Sequence, residues 1–350
     1  GGGLAICVAR QPGAHHVKRL PRVIPLKEKD IPARGYHVTL GYTKRGPVTL
    51  DLADKHRAIL TGGTSGAGKT TMLKSFVLQA TAKRTPQELA LAIVDLKEVD
   101  FAAFDRLPHL FAPIARTKDE AAALIERVEG ERLRRQGAMA QAKVADWRYY
   151  NADPPDGEPF PLLYLIVDEA ADLAKTPAMD ALVDLARKGR AMGISLAVGT
   201  QSPTSKVVDH QVKANLPCGV AFQTRTYTES MVILGRKGAE DLDRPGLALT
   251  FVGGKWQKVQ TLHVANDGAP ALLEQVTAPP MPALTGQEAQ VVRYALEELG
   301  GAFTIGRLYA RFRGEVSKRW LENLGQRWER RGWLTPPAHA TDPRRVTAEL

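Results

Sequence analysis

A chain of 350 residues can form one large domain of roughly two to three hundred residues and still supply a small second domain. Its hydrophobic fraction of 44% and charged fraction of 25% are ordinary for a globular protein, and no apolar run approaches the roughly 18 residues of a membrane-spanning helix. A formal net charge of +10 indicates an anionic partner, and nucleic acid is favoured over a membrane surface because no basic amphipathic stretch is evident. We therefore expect no membrane contact by this chain.

The cysteines and the first residues bear on the cellular compartment. Cys7 and Cys218 are the only cysteines of the sequence. The opening "GGGLAICVARQPGAHH" lacks the basic, apolar and small-residue order of a signal peptide. We expect a reduced, cytoplasmic environment.

The chain divides into four predicted parts. Residues 1–36 are rich in Pro, Lys and Arg without periodicity, and are predicted to be a basic arm or linker with no assigned fold. Residues 37–276 form the predicted main domain. The segment "TAPPMP" at 277–282 breaks every periodicity and is predicted to be a linker, and 283–350 follow it as a second domain.

The main domain alternates strand-like and helix-like runs. It begins with "YHVTLGY", "VTLDL" and "RAIL", then a glycine-rich loop, then "TMLKSFVLQATAK" with helical spacing of its apolar residues. Continuous apolar runs follow, separated by helical segments: "LALAIVDL", "PLLYLIVDE", "ISLAVGTQ" and "CGVAFQT". Such runs are typical of strands covered on both faces by crossover helices. The sequence therefore predicts an α/β fold with a mainly parallel sheet.

The glycine-rich loop "GGTSGAGKTT" matches the phosphate-binding pattern G-x-x-x-x-G-K-[ST]. Its small residues let backbone N–H groups face the phosphates of ATP, while Lys69 reaches the β and γ oxygens and the hydroxyl of Thr70 binds Mg²⁺. A turn that merely caps a helix is the alternative. The predicted nucleotide-binding residues are Gly63, Thr64, Ser65, Gly66, Ala67, Gly68, Lys69, Thr70 and Thr71.

Two carboxylates end the strand "LLYLIVDE", in the Walker B arrangement. Asp168 is predicted to orient the magnesium shell and Glu169 to act as the base that polarises the attacking water. A strand that runs into an acidic helix cap explains one of the two carboxylates but not both. Together with the loop, the pair favours ATP hydrolysis over passive binding.

Polar residues end two further strands. Thr200 and Gln201 follow "ISLAVG", and Gln201 is the predicted sensor of the γ-phosphate, with a solvent-facing strand end as the alternative. Asp95 and Lys97 end the strand in "IVDLKEVD". Asp95 either holds a water beside the site or has a structural role.

The order and spacing of these motifs resemble the motor domain of the FtsK/SpoIIIE family of DNA translocases over roughly Tyr36 to Val264. The resemblance rests on "GGTSGAGKTT", "VDLKEVDF" with "LPHLFAPIARTKDEA", "LIVDEAADL", "LARKGRAMGISLAVGTQSP", "VKANLPCGVAF" and "GAEDL". It implies a RecA-like P-loop ATPase that uses ATP and Mg²⁺ and assembles as a homohexameric ring around double-stranded DNA. The C-terminal segment resembles the winged-helix domain of the same family.

The chain departs from the family pattern at two positions. Many members have an arginine where "TYTESMVIL" places Met231, so a catalytic arginine acting on a neighbouring subunit must come from elsewhere. Arg190 is the first candidate and Arg187 the second, and solvated helix residues are the alternative. Ser202 stands where members commonly have an arginine, which removes one cation near the sensor.

Contacts with DNA are predicted in two places. The loop "SPTSKVVDHQVKAN" after Gln201 is expected to line the pore, with Lys206 and Lys213 on phosphates, unless it is only a solvated loop. In the tail, "GQEAQVVRYALEEL", "IGRLYARF" and "EVSKRWLENLGQRWERRG" predict three helices, and the last residues a two-stranded wing. The third helix is the predicted recognition helix, with Lys318, Arg319, Asn323, Gln326, Arg327 and Arg330 as its DNA-binding side chains.

The basic residues concentrate where contacts with an anion are expected. Gly1 to Leu60 contains 11 Lys and Arg against 4 Asp and Glu, and Thr304 to Arg331 contains 8 against 3. In the tail, the alternatives are non-specific grip on DNA or packing against a neighbouring subunit. For the whole chain the leading hypothesis is an ATP-driven pump of double-stranded DNA. The alternatives are a related secretion ATPase that moves a protein, or a DNA-binding regulator switched by ATP.

Overall fold

The computed structural model describes residues 21–33, 35–54, 58–155, 158–204, 208, 210–252, 254–264, 286–330, 334–335 and 343–346. Residues 1–20, Lys206 and the predicted linker at 277–282 lie outside these ranges. Within the described ranges, no helix combines the length and the apolar character that a membrane crossing requires.

The main domain alternates strands and helices along the chain. The strands are β1 (Ile24–Pro25), β2 (His37–Thr43), β3 (Gly46–Asp51), β4 (Ala58–Gly62), β5 (Leu89–Val94), β6 (Leu162–Val167), β7 (Ile194–Thr200), β8 (Cys218–Ala221), β9 (Leu247–Val252) and β10 (Lys255–His263). The α-helices are α1 (Lys69–Thr81), α2 (Lys118–Gln141), α3 (Trp147–Ala152), α4 (Pro177–Lys188), α5 (His210–Asn215) and α6 (Tyr227–Leu234). Short 3₁₀ turns lie at Glu28–Asp30, Ala102–Phe104, Ala170–Leu173 and Arg190–Met192.

One ten-stranded sheet organises this domain. Its order is β3-β2-β10-β9-β8-β4-β7-β6-β5, with β1 paired to β10. The five strands from β8 to β5 run parallel to one another, whereas β9, β10, β2 and β3 form antiparallel pairs on one side. The prediction of an α/β fold with a mainly parallel central sheet is therefore confirmed.

The parallel strands are apolar throughout because both faces of the sheet are covered. In β5, Leu91 and Ile93 belong to the hydrophobic cluster on the face that α1 covers, while Ala92 and Val94 belong to the cluster shared with α2 and α4. All six residues of β6 are buried as well. Alternate residues of the strand thus face opposite sides of the sheet. The sequence does not show this alternation, because the residues on both sides are hydrophobic.

Part of the predicted N-terminal arm belongs to the sheet domain, which corrects the assignment of no fold to all of residues 1–36. Ile24 and Pro25 pair in parallel with Leu262 and His263 of β10. The buried Asp30 accepts a hydrogen bond of 2.6 Å from the hydroxyl of Tyr42. A two-residue strand has no periodicity, so only its non-local pairing identifies it.

The tail forms a separate small core. It contains α7 (Gly286–Glu298), β11 (Ala302–Phe303), α8 (Ile305–Arg311), α9 (Lys318–Arg330), β12 (Leu334–Thr335) and β13 (Arg344–Val346). The three strands form an antiparallel sheet of order β11-β13-β12. The three predicted helices are present, and β11 is a third strand that the sequence did not indicate. The function of this unit as a winged helix stays a prediction.

The apolar face of α9 supplies much of this core. Leu321, Leu324 and Trp328 are fully buried, and the ring of Trp328 lies 5.4 Å from that of Phe303. Trp320 is half-buried at the edge of the same cluster. These four residues form the core-facing side of α9.

A buried arginine fastens the edge of the sheet where β6 and β7 begin. The side chain of Arg135 on α2 is 1% exposed and pairs with Glu131 at 2.7 Å. Its Nη1 donates to the carbonyl oxygens of Pro161 and Met192 at 2.9 Å each. Burial lowers the pKa of the Arg135 guanidinium, yet the group stays charged because arginine is so strongly basic. One charged side chain thus forms hydrogen bonds to the segments that lead into both β6 and β7.

Replacing Arg135 by alanine is expected to lower the free energy of unfolding by about 3–5 kcal/mol, because carbonyls and a carboxylate lose a buried partner. Arg134→Ala is the matched control: Arg134 pairs with the same Glu131 but is 56% exposed, and its loss is expected to cost less than about 1 kcal/mol. Urea unfolding of both variants measures the difference. Equal stability of the two variants would contradict the structural role given to Arg135.

Candidate active site

Four neighbouring strands bring the predicted site residues to one edge of the sheet. The phosphate-binding loop follows β4, Gln201 follows β7, the carboxylate pair follows β6, and Asp95 with Lys97 follows β5. These strands are adjacent in the order β4-β7-β6-β5 and parallel, so their carboxyl ends meet at the same edge. In open α/β sheets this edge is where ligands bind.

The loop between β4 and α1 has the backbone geometry of a phosphate cradle. Gly66 and Gly68 have φ values of 75° and 114°, which only glycine adopts freely. A side chain at Gly68 would lie 2.9 Å from the backbone nitrogen of Gly246, which donates to the carbonyl of Ala67. A side chain at Gly66 would meet nothing within 4 Å. The loop therefore packs against Gly246 at Gly68 and has free space beside Gly66, in which a phosphate group can bind.

Lys69, the first residue of α1, points into the site. It is 3% exposed, and its Nζ donates to the backbone oxygen of Asp168. The same Nζ lies 3.4 Å from Oδ1 of Asp168 and 3.8 Å from Oε2 of Glu169. Burial lowers the pKa of Lys69, while the two carboxylates oppose this by favouring the charged ammonium. The only cation of the loop thus contacts both members of the acidic pair.

The metal-binding prediction is consistent with the contacts of Asp168. The hydroxyl of Thr70 donates to Oδ1 of Asp168 at 2.9 Å, which places two hard oxygen donors side by side. Mg²⁺ prefers such donors and completes its shell with waters and substrate phosphates. In the part of the chain that the structure describes, no group of three or more His, Cys, Asp or Glu side chains could hold a metal unaided. The residues therefore fit a magnesium ion that is shared with a bound nucleotide.

The carboxylate of Glu169 is oriented by two backbone N–H groups. Its Oε2 accepts from the nitrogen of Gln201 at 2.8 Å, and its Oε1 accepts from the nitrogen of Ala171 at 3.2 Å. Glu169 is 8% exposed, so few waters compete for these bonds. The sequence predicted a role for the side chain of Gln201, whereas the contact seen here uses its backbone amide.

Asp95 has a structural role at the border of the site. It is fully buried and accepts hydrogen bonds from the backbone nitrogens of Phe101 at 2.9 Å and Lys97 at 3.3 Å. Burial raises the pKa of this carboxyl group, and the two N–H donors oppose that effect. Of the two roles considered for Asp95, the hydrogen bonds support the structural one, which is to hold the loop at 95–101.

The candidate arginines lie away from the site of their own chain. Arg190 pairs with Asp54, and Arg187 pairs with Asp184 at 2.7 Å. Both precede β7, whereas the site lies beyond its last residue, roughly 20 Å along a seven-residue strand. Neither arginine acts on the nucleotide of its own subunit from this position, and a role at a neighbouring subunit stays a prediction.

Of the two predicted pore lysines, Lys213 is described. Its Nζ donates to the carbonyl oxygen of Met231 at 2.7 Å, near the carboxyl end of α6. Burial lowers the pKa of this ammonium. The ammonium of Lys213 thus caps the carboxyl end of α6. The binding of DNA phosphates by Lys213 and Lys206 stays a prediction.

The predicted DNA-reading residues lie on α9. Lys318, Arg319 and Gln326 are exposed and Asn323 is half-buried. Arg319 and Asn323 also line a cleft of about 270 Å³ whose other wall is Asp153–Pro155 of the main domain. Arg327 and Arg330 are on the same helix, and their side chains lie outside the described part of the structure.

Gly199→Ala is expected to damage the site without unfolding the domain. A Cβ at this position of β7 would lie 2.5 Å from the backbone oxygen of Asp168 and 3.1 Å from Cδ of Lys69, so the two key groups must shift. We expect the affinity for a fluorescent ATP analogue to fall by about ten-fold or more. Gly130→Ala on α2, where a Cβ meets nothing within 4 Å, is the control and should bind like wild type. Unchanged binding by Gly199→Ala would refute this packing argument.

Two curated DNA translocases are similar to this chain in sequence. The "DNA translocase FtsK" of Corynebacterium efficiens is 32% identical over 254 residues, which cover 68% of this chain and 27% of that protein. The "DNA translocase SftA" of Bacillus subtilis is 30% identical over 255 residues, or 71% of this chain and 27% of that protein. The chain thus spans about a quarter of the length of these curated relatives.

Solved structures share the fold. The pCW3 conjugation coupling protein TcpA, in its monomer form with ATPγS, superposes with a TM-score of 0.65 at 24% identity, covering 73% of this chain and 75% of that chain. EssC (ATPases 2 and 3) of Geobacillus thermodenitrificans gives a TM-score of 0.65 at 17% identity, covering 75% and 53%. At such identities the likeness shows a common P-loop ATPase fold.

A family model described as "FtsK/SpoIIIE family" matches residues 36–205. This segment contains the phosphate-binding loop, the acidic pair and Gln201, which are the groups that meet at the edge of the sheet. The resemblance read from the motifs extends over roughly Tyr36 to Val264, and the family model matches residues 36–205 of that stretch. Residues 36–205 therefore form a domain of the FtsK/SpoIIIE family.

Proposed function

We propose that the chain is the motor part of an ATP-driven DNA translocase, which hydrolyses ATP and pumps double-stranded DNA through a homohexameric ring in the cytoplasm. The observation that carries the hydrolysis step is the convergence of Lys69, Thr70, Asp168 and Glu169 within hydrogen-bond or ion-pair distance. The relatives named DNA translocases, at 30–32% identity, and the net charge of +10 support DNA as the substrate.

The residues divide the work of hydrolysis among them. The loop amides and Lys69 bind the β- and γ-phosphates, and Thr70 with Asp168 would hold Mg²⁺, which when bound neutralises charge on the phosphate oxygens. Glu169 takes a proton from the water that attacks the γ-phosphorus, and the bond from that phosphorus to the β,γ-bridging oxygen breaks. ADP and phosphate leave. The backbone amides of Gln201 and Ala171 keep Glu169 oriented for this transfer.

The charge distribution supports duplex DNA as the substrate. The described tail carries exposed Lys318 and Arg319 on α9, and lysine and arginine bind phosphate oxygens without base-specific geometry. A protein substrate, as in a secretion ATPase, would not need this basic tail. Arg190 and Arg187, whose side chains are 58% and 59% exposed, are our candidates for the arginine that reaches a neighbouring subunit.

Hydrolysis and its link to DNA are tested together by steady-state ATPase assays with and without linear duplex DNA. We expect strong stimulation by DNA for the wild type, no hydrolysis by Lys69→Ala because the phosphates lose their main cation, and nucleotide binding without turnover by Glu169→Gln. Wild-type turnover in Glu169→Gln would remove that residue as the base. Stimulation by a peptide but not by DNA would favour a protein substrate.

The tail is tested by replacing Lys318 and Arg319 with alanine together. If both bind phosphates, the slope of log affinity against log salt for duplex DNA should fall by about 2, with a loss of affinity that is uniform across sequences. Arg307→Ala is the matched control, since Arg307 is exposed on α8 of the same tail but outside α9. An equal change in this control would show general charge attraction instead of a contact surface on α9.

A further inference from the structure

Asp168 is contacted by two lysines from different sides. Lys69 bonds to its backbone oxygen and lies 3.4 Å from Oδ1, while Nζ of Lys97 donates to Oδ2 at 3.2 Å. The carboxylate is 1% exposed, so water contributes little to its solvation. The proposed chemistry assigns a role to Lys69 and none to Lys97.

Of the two lysines, only Lys69 is expected to move when a nucleotide binds. To bind phosphates, Lys69 must move its ammonium away from Asp168. A buried carboxylate that loses its only cation is strongly destabilised. If Asp168 had no second cationic partner, the ion pair with Asp168 would therefore oppose the movement of Lys69 toward the phosphates. The pair at Asp168 therefore competes directly with the phosphates for Lys69.

Lys97 is placed to remove that competition. It stands on the loop after β5, and Asp95 fixes the loop by accepting hydrogen bonds from the backbone nitrogens of Phe101 and Lys97. Glu98, the next residue, has a φ of 66°, a conformation that residues other than glycine rarely adopt and that marks functional loops when the surroundings enforce it. The side chain of Lys97 is 35% exposed along its length, yet its ammonium reaches the buried carboxylate.

We propose that Lys97 is a positioning residue for nucleotide binding, which keeps Asp168 paired and thereby releases Lys69 to the phosphates. The inference rests on the proposed nucleotide site and goes beyond it, since it assigns a role to a lysine that need not touch the nucleotide. Lys97 acts through Asp168, so its effect depends on the charge of that residue.

A double-mutant cycle tests this, with a fluorescent ATP analogue titrated in EDTA so that no metal supplies charge to Asp168. Lys97→Met should bind the analogue about ten-fold more weakly than wild type, and Lys97→Arg should recover most of the affinity. In a protein that already carries Asp168→Asn, adding Lys97→Met should cause no further loss. Thermal unfolding without nucleotide is measured for each variant to show that it is folded.

Lys74→Met is the matched control. Lys74 lies 3.7 Å from Asp100 of the same loop and, as far as the described contacts extend, pairs there and not with Asp168. It should therefore bind the analogue like wild type.

The outcomes separate four cases. An equal loss from Lys97→Met in both backgrounds would mean that Lys97 attracts the nucleotide directly, and would overturn the inference. No loss in the wild-type background would overturn it as well. If the wild type binds the analogue neither in EDTA nor with Mg²⁺, the proposed nucleotide site is wrong, which is a different result from a failure of Lys97 alone. Binding by the wild type only with Mg²⁺ would mean that the metal and not Lys97 compensates Asp168, and would overturn the inference.

Discussion

The pairing of Asp168 with its cations is the interaction on which the rest of the site depends. A carboxylate that is 1% exposed at the end of a buried strand is tolerated only if positive charge or hydrogen bonds surround it. Here Lys69, Thr70 and Lys97 provide both, and they come from the elements that follow β4 and β5. The requirement to compensate one buried charge therefore draws three parts of the chain to one edge of the sheet.

Much of this site could be predicted from the sequence because its strongest signals are local. The glycine-rich loop and the acidic pair each lie within ten residues, and each follows an apolar run that ends at the same edge of a parallel sheet. The contact of Lys97 with Asp168 could not be predicted in the same way. It joins residues 71 positions apart and exists only because β5 and β6 are neighbours.

The parts of the fold that the sequence analysis missed have different causes. The hairpin of β9 and β10 carried a usable signal, since "LALTFV" and "KWQKVQTLH" flank two glycines, of which Gly254 has a φ of 74°. The strand at Ile24–Pro25 carried none. The arginine candidates Arg190 and Arg187 depend on the arrangement of subunits, which a single chain does not contain.

The hydrogen bond from the nitrogen of Gln201 to Glu169 has a consequence for how this domain can evolve. Its donor is a main-chain amide, so every amino acid except proline at position 201 preserves it. Glu169, the proposed base, is thereby tied to the start of the segment between β7 and α5 by a bond that side-chain substitution does not remove. The sequence of that segment can therefore change while its hydrogen bond to the proposed catalytic carboxylate is kept.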